Sequence, residues 1–515
     1  MSQYTRRNVW LNGGTFDNSD ILWYATAIKE MQNRSLDDKS SWWFFAAMHG
    51  TSLTFAGVPP SIDWANLTAN PSVPITPMPS SAIVINYWNQ CQHQSWYFLP
   101  WHRGYLFAVE EHLRSIVIQK GGPDSWSLPY WNYLGSGSQF RLPPAFAQTH
   151  MPDGTENSLY IEARNGPNND KNVYVDLSDV DESCLQNNRF SGRNGVTPYP
   201  GFGGPRTSFN WGGTYPSGNL EANPHNDVHV DVGGANGLMT SPITAALDPI
   251  FYIHHCNIDR IWAHWNANGH KNPTENAYTN GPKYNGDRPF ICPRPSNDRW
   301  EYTPADVDDT QQLDYTYDDI QAALLQPSGS KSLDNRLASF GLTIPTENLV
   351  ETMSSHDNEN IQLIQASEFG LEVPQSGVVT SIKLPSSIFD IAGESALFFT
   401  PESSLPEVNS MLERNFYLQL ENVTGDADNV KLQVFINGHL VKSIALFGLS
   451  LNNLSESHHA GSGSTYLVEI TQTLLKLRRE QKLSSEPLDI KIIPKRVLSS
   501  GCSLNIGRVA LYTDK

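Results

Sequence analysis

The chain holds 15 histidines, and their placement says more than their number. His225 and His229 form an HxxxH pair, and Asn223-Pro224 just before them supplies an N-cap and a first helical residue. One helical turn then presents both imidazoles on one side, within reach of a single metal ion. Such a pair is weak by itself, but His254-His255 follow in the most apolar helical stretch of the chain. An imidazole buried among Phe251, Ile258 and Trp262 needs a partner for its nitrogens, and the helical period allows either His254 or His255 to be the one that turns inward. A second group is His49, His93 and His102. His93 and His102 would stand on opposite sides of one continuous helix, but Pro100 breaks the segment, so His93 is expected from a loop and His102 from the first turn of a new helix.

Each group then offers three neutral imidazoles and no acidic ligand. Imidazole-only sites suit copper, zinc, iron or nickel, so ligand softness alone does not choose. Two tris-histidine sites facing each other make a dinuclear centre with open positions. Dinuclear hydrolases bridge their metals with Asp or Glu, and none accompanies either group, which favours redox copper over hydrolytic zinc or manganese.

The elements that must position these side chains are legible from caps and periodicity. Asp20 is read as the cap of a helix carrying Ile21, Leu22, Ala25 and Ile28, and Ser41 as the cap of a second with Trp42, Phe45 and His49 before Gly50. A third begins after Pro100 with His102, Leu106, Val109 and Leu113 on its inner face. The fourth opens at Asp248-Pro249 and carries Phe251, His255, Ile258, Trp262 and Trp265 on one stripe. These four predict a bundle, with residues 181 to 224 read as loop. From about residue 376 the period changes to two: Phe416, Leu418 and Leu420 alternate with polar neighbours, and Leu432, Val434 and Ile436 lead into the hairpin signal Asn437-Gly438. Further strands are expected at Tyr466 to Ile470, Leu488 to Ile493 and Leu504 to Tyr512. The predicted fold is thus a mainly α central domain, a four-helix bundle with long loops over 1–325, a linker over 326–375, and a C-terminal antiparallel β-sandwich over 376–515.

Composition fits that reading. The 515 residues are 39% hydrophobic and 17% charged, ample for packed cores. Lys+Arg 35 against Asp+Glu 53 gives a net charge of -18, which argues against a nucleic-acid or anionic-membrane partner. No apolar targeting stretch follows the N-terminus and no window reaches membrane-span length, so a soluble, cytoplasmic protein is expected. Five widely spaced cysteines without a CxxC indicate neither a disulfide scaffold nor a zinc knuckle.

Three stretches carry a specific resemblance: His93-Gln94-Ser95-Trp96-Tyr97-Phe98-Leu99-Pro100-Trp101-His102-Arg103, Pro224-His225-Asn226-Asp227-Val228-His229, and the run from Asp248 to Trp262 with His254-His255-Cys256-Asn257-Ile258-Asp259-Arg260. They resemble the two copper motifs of the tyrosinase, catechol oxidase and mollusc haemocyanin family. The resemblance implies two copper ions per chain, copper A on His49, His93 and His102 and copper B on His225, His229 and His255, with His254 beside the site. It implies a thioether between Cys91 and His93, and a role for Asp259 in orienting a ligand or pairing with an arginine. Arg6 or Arg7 and Tyr315-Thr316-Tyr317 resemble the arginine and tyrosine motif that close this family's central domain.

The activity implied is oxidation of small phenols by O2: o-hydroxylation of monophenols and conversion of o-diphenols to o-quinones. Glu221 and Asn226 occupy the positions that hold a water for phenol deprotonation in such enzymes, while Phe251, Val230, Met239 and Pro242 are expected around the substrate. The C-terminal sandwich resembles the shielding domain of latent members, with Phe447 or Leu449 as the plug. Catechol oxidase, o-aminophenol oxidase and a haemocyanin-like O2 carrier share the same ligands and stay open, as does a homo-oligomer.

Overall fold

A computed structural model describes residues 3–51, 73–192, 200–210, 215–296, 298–320, 362–384, 415–453, 463–483, 487–498 and 501–513. The N-terminal part is helical: α1 (Ser19–Gln32), α2 (Trp42–His49), α3 (Ser81–Tyr87), α4 (Phe98–Gln119), α5 (Pro144–Ala147), α6 (Asn226–Gly233), α7 (Pro249–Ala267) and α8 (Asn276–Thr279). The long helix α4 packs on α1 and α7, and one continuous core, rich in Trp, Tyr and Phe, fills the space between them.

Two expected caps are met. The Ser41 hydroxyl accepts from the Phe44 N–H at 3.0 Å, with Gly50 closing α2, and Asp248 accepts from the Ile250 N–H at 2.9 Å ahead of Pro249. Two differ. Helix α1 is capped by Asn18, whose side chain accepts from the Asp20 N–H at 3.0 Å, which leaves the Asp20 carboxylate to pair with Arg7 at 2.6 Å. Helix α4 begins at Phe98, so Pro100 lies inside its first turn, where a missing N–H costs nothing. His93 still precedes the helix, as Pro100 suggested for a different reason.

Two short strands tie the ends of this domain together. β1 (Tyr4–Arg6) pairs in parallel with β4 (Tyr315–Tyr317), and β2 (Phe290–Pro293) pairs with β3 (Arg299–Tyr302). Arg6, fully buried, stacks on Tyr315 with its guanidinium carbon 3.8 Å from the ring centroid and forms ion pairs with Glu110 and Asp259. Arg7, by contrast, points to half-exposed surface.

The C-terminal part is an antiparallel sandwich of two sheets. One is ordered β10-β9-β12-β7 and the other β11-β8-β13-β5, from β5 (Gln362–Ala366), β6 (Leu371–Glu372), β7 (Val378–Ile382), β8 (Phe416–Gly425), β9 (Lys431–Ile436), β10 (His439–Ala445), β11 (Ser464–Glu469), β12 (Leu488–Pro494) and β13 (Leu504–Thr513). The alternating residues Leu418 and Leu420, and Leu432, Val434 and Ile436, meet in its core. Asn437 and Gly438 turn β9 into β10 with positive φ of 46° and 79°, as a two-residue hairpin requires. β5 and β6 pair with β13, so this domain begins ahead of residue 376. Residues 321–361, most of the expected linker, lie outside the described residues. β5 escaped the sequence reading because an edge strand with one solvated face carries a weak apolar signal. Among the described residues no helix is long and apolar enough to cross a membrane.

Candidate metal centre

Helix α2 ends on His49, the loop before α4 contributes His93, and the second turn of α4 contributes His102. Their ligand atoms and the Cys91 sulfur all lie within 4.8 Å of one another, fully buried. Opposite them, the turn into α6 delivers His225, α6 delivers His229, and α7 delivers His254 and His255, again within 4.8 Å of one another. The rings of His102 and His255 stack at 4.4 Å between centroids, joining the two groups. Phe98 wedges between them, 4.6 Å from His102 and 4.8 Å from His225, a contact not read from sequence.

The backbone fixes which nitrogen of each ring faces inward. His49 Nδ1 lies 2.8 Å from the Pro242 carbonyl, His102 Nδ1 2.7 Å from Phe98 O, and His229 Nδ1 2.7 Å from Met239 O. A carbonyl only accepts, so each Nδ1 carries the proton and each Nε2 points its lone pair to the centre. For His225 the same service comes from the Asn226 side-chain oxygen at 2.8 Å. Burial first, and neighbouring imidazoles second, hold His49, His102, His225, His229 and His255 well below the ordinary histidine range, so all are neutral. Burial likewise brings His254 down to about 3.

This arrangement asks for a cation. His225 Nε2 and His229 Nε2 stand 3.2 and 3.4 Å from His255 Nε2, three ring nitrogens converging on one point. Among the described residues Nδ1 of His255 is buried without a hydrogen-bond partner. Neutral imidazoles crowded in this way repel unless a metal ion takes their lone pairs. No carboxylate joins either group among the described residues.

The remaining predicted residues divide by what they touch. Cys91 Sγ lies 3.5 and 3.7 Å from the two ring nitrogens of His93 and 3.3 Å from His102 Nε2, and burial raises its thiol well above the usual range. Glu221 is buried, accepts from the Gln94 N–H at 2.8 Å, and is pushed up to about 8 by burial against the pull of that hydrogen bond. It and Asn226 therefore hydrogen-bond to different partners. Phe251 is enclosed by imidazoles, 4.1 Å from His255 and 4.7 Å from His49, and belongs to the wall between the groups. Met239 and Pro242 act through the carbonyls described above. Asp259 does not touch a histidine of either group: it bonds Arg103 at 2.5 Å, Arg6 at 3.1 Å and both tyrosines of β4, and although burial opposes it, the two arginines keep its carboxyl low.

From the sandwich, Phe447 reaches into this site. Its ring stacks on His229 at 4.1 Å and stands 5.8 Å from His225 and 6.0 Å from His93. It clusters with Val230 and Ala445, whereas Leu449 turns into the sandwich core. Gly448 permits the turn: its φ is 74°, and a Cβ there would sit 3.1 Å from the Pro242 ring.

Comparison with known proteins agrees with this geometry. Residues 39–268 match the common central domain of tyrosinase, and residues 360–514 match a domain of unknown function. The chain is 29% identical to the tyrosinase HcTyr1 of Hahella sp. over 537 residues, covering 99% of each. It is 35% identical to polyphenol oxidase E of Solanum lycopersicum over 200 residues, 35% of this chain and 31% of that one. Its fold resembles the structure of latent apple tyrosinase, at 17% identity and a TM-score of 0.58 over 100% of this chain and 98% of that one. Residues 39–268 thus match a tyrosinase central domain, and the chain as a whole is similar to tyrosinases and polyphenol oxidases. It is an enzyme, a copper-dependent oxidoreductase with a C-terminal sandwich appended to the catalytic domain. The tomato relative is named as chloroplastic, which does not fit the cytoplasmic address expected from sequence.

Proposed function

We propose that the chain binds two copper ions, one on His49, His93 and His102 and one on His225, His229 and His255, and oxidises small phenols with O2. The observation that carries this is the pair of buried, carboxylate-free imidazole groups meeting at the His102–His255 stack. Copper supplies O2 activation and electron transfer when bound. The protein holds the Nε2 lone pairs inward through the carbonyls of Phe98, Met239 and Pro242, and the aromatic wall of Phe98 and Phe251 excludes water. The reading extends to monophenols as well as o-diphenols. A monophenol must lose a proton of pKa near ~10, and Glu221, whose carboxyl burial raises to about 8, accepts it only in its ionised form, so monophenol turnover should rise with pH toward about 8. Asn226 steadies His225 beside it. Cys91 faces the His93 ring closely enough for a thioether to lock it. Phe447 lies over His229 where a substrate ring would stack, so the covered enzyme is latent.

The test is O2 uptake by copper-loaded full chain and its Phe447→Ala variant, offered a simple monophenol and then its o-diphenol. Turnover of both, faster in the variant, supports the reading. Turnover of the o-diphenol alone makes the enzyme a catechol oxidase and removes Glu221 from its role; reversible O2 binding without turnover makes it a carrier.

A further inference from the structure

The sandwich does more than present Phe447. Lys431, at the start of β9, is 0% exposed, and its ammonium lies 3.0 Å from Asp227 Oδ1, 3.0 Å from Asp231 Oδ2 and 3.2 Å from Asp179 Oδ2. All three carboxylates belong to the catalytic domain. Two more cations of the sandwich flank it: Lys495 bonds Asp179 at 2.6 Å and Asp176 at 2.9 Å, and Arg496 pairs with Asp231. Asp227 and Asp231 sit on α6, interleaved with its histidines. In a helix, residues four apart share a face and residues two apart lie about 200° around the axis. His225 and His229 therefore look one way, and Asp227 and Asp231 look the other. Helix α6 is only 8 residues long, too short to be stable on its own. The imidazoles hold it from one side and Lys431 holds it from the other.

We propose that Lys431 is a positioning residue for the copper B site: its buried ammonium fixes α6, and through it the orientation of His225 and His229. This rests on the assignment of those two histidines to copper B made above. It makes the sandwich part of the metal site as well as its cover, because taking it away removes Lys431, Lys495 and Arg496 together and leaves four carboxylates around the copper B helix. Taking away the Lys431 ammonium with the sandwich in place leaves Asp227 buried without its cation and drives local rearrangement, whereas loss of a covering side chain does not. Copper A, whose histidines come from α2, α4 and the loop between them, has no sandwich cation against it in any described contact.

The experiment uses full-length protein loaded with copper, comparing wild type with Lys431→Met, Lys431→Arg and Phe447→Ala. Copper per chain is counted after dialysis, and release of each ion to a chelator is followed in time. Wild type is expected to hold two ions. Lys431→Met is expected to lose one of them at least tenfold faster while retaining the other, Lys431→Arg to stay near wild type, and Phe447→Ala to keep both. Lys431→Met releasing both ions at the wild-type rate, or both equally fast, overturns the proposal. Wild type that binds no copper overturns instead the reading beneath it. If Lys431→Met does not fold, Lys431→Met/Asp227→Asn removes one charge of each sign and carries the same comparison, with the same two outcomes.

Discussion

The two histidine groups are built differently. His49, His93 and His102 come from the end of one helix, a loop and the start of another, all rooted in the largest core of the molecule, and each anchoring carbonyl belongs to the same domain. His225 and His229 come from one short helix whose opposite face is neutralised by the sandwich. Similar ligand chemistry has thus been reached once by packing in the core and once by packing, through Val228 and Val232, together with charge supplied by the sandwich. A metal site needs oriented lone pairs, and the fold can supply orientation through packing or through charge.

The largest effects should come from the ligands themselves. His102→Ala and His225→Ala are each expected to abolish phenol oxidation and to lower bound copper from two ions to one, measured by metal analysis. If either variant lost both ions, the groups would be one cooperative site rather than two. Next in size, Asp259→Ala takes from the buried Arg103 the carboxylate it bonds and leaves Arg6 with Glu110, and a broken buried pair costs about 3–5 kcal/mol. Because Asp259 lies on α7 and Arg103 on α4, both groups should weaken together, seen as a lower midpoint of thermal unfolding and faster release of both ions.

Glu221→Gln is expected to lower monophenol turnover by roughly 10²-fold and to spare o-diphenol turnover, measured by O2 uptake with each. The same residue should mark the pH dependence of stability. Its carboxyl is raised from 4.5 to about 8 in the folded protein, so the native state holds a proton that the unfolded chain has lost. Stability should therefore fall as pH rises from about 4.5 toward 8, and denaturant titrations of Glu221→Gln should lack that component. Phe447→Ala removes one aromatic stack and should raise the initial o-diphenol rate of the full chain by about tenfold, the equivalent of ~1.5 kcal/mol. The smallest effect is at a cap: Ser41→Ala should cost ~1 kcal/mol in urea unfolding and loosen His49 at the far end of α2, with the copper B group unmoved.

Local chemistry was readable in the sequence where one short stretch carries it. Ser41, Asp248-Pro249, the HxxxH pair and Asn437-Gly438 each act within a few residues of themselves, and their spacing is their meaning. Asn18 was passed over for Asp20 because both residue types cap helices and only the tertiary pairing of Asp20 with Arg7 decides between them. Pro100 was read as a breaker because sequence does not show on which turn of a helix a proline falls. Lys431 was invisible: a lysine in a strand has no periodic signature, and its partners lie some 200 and 250 residues away. The one available hint was Asp227 and Asp231, an acidic pair at helical spacing interleaved with the HxxxH histidines, a costly pattern unless something cationic faces it. Between His254 and His255 the period gave no answer, and the structure brings both rings to the group, with His255 Nε2 meeting His225 and His229.

The parallel pairing of β1 with β4 has a consequence for how the proposed latency would be relieved. Tyr4–Arg6 and Tyr315–Tyr317 zip the two ends of the catalytic domain to each other, with Arg6 locked between Glu110 and Asp259. A protease cutting beyond Asp319 would sever the polypeptide without unfastening that domain. The sandwich would then sit on its partner as a separate molecule, held by contacts that include Phe447, the lysine and arginine pairs and the Ser443–Asp179 hydrogen bond. Cleavage would turn a closure independent of concentration into a dissociation governed by mass action. The cut enzyme should accordingly wake on dilution, and a concentrated stock of it should stay largely asleep.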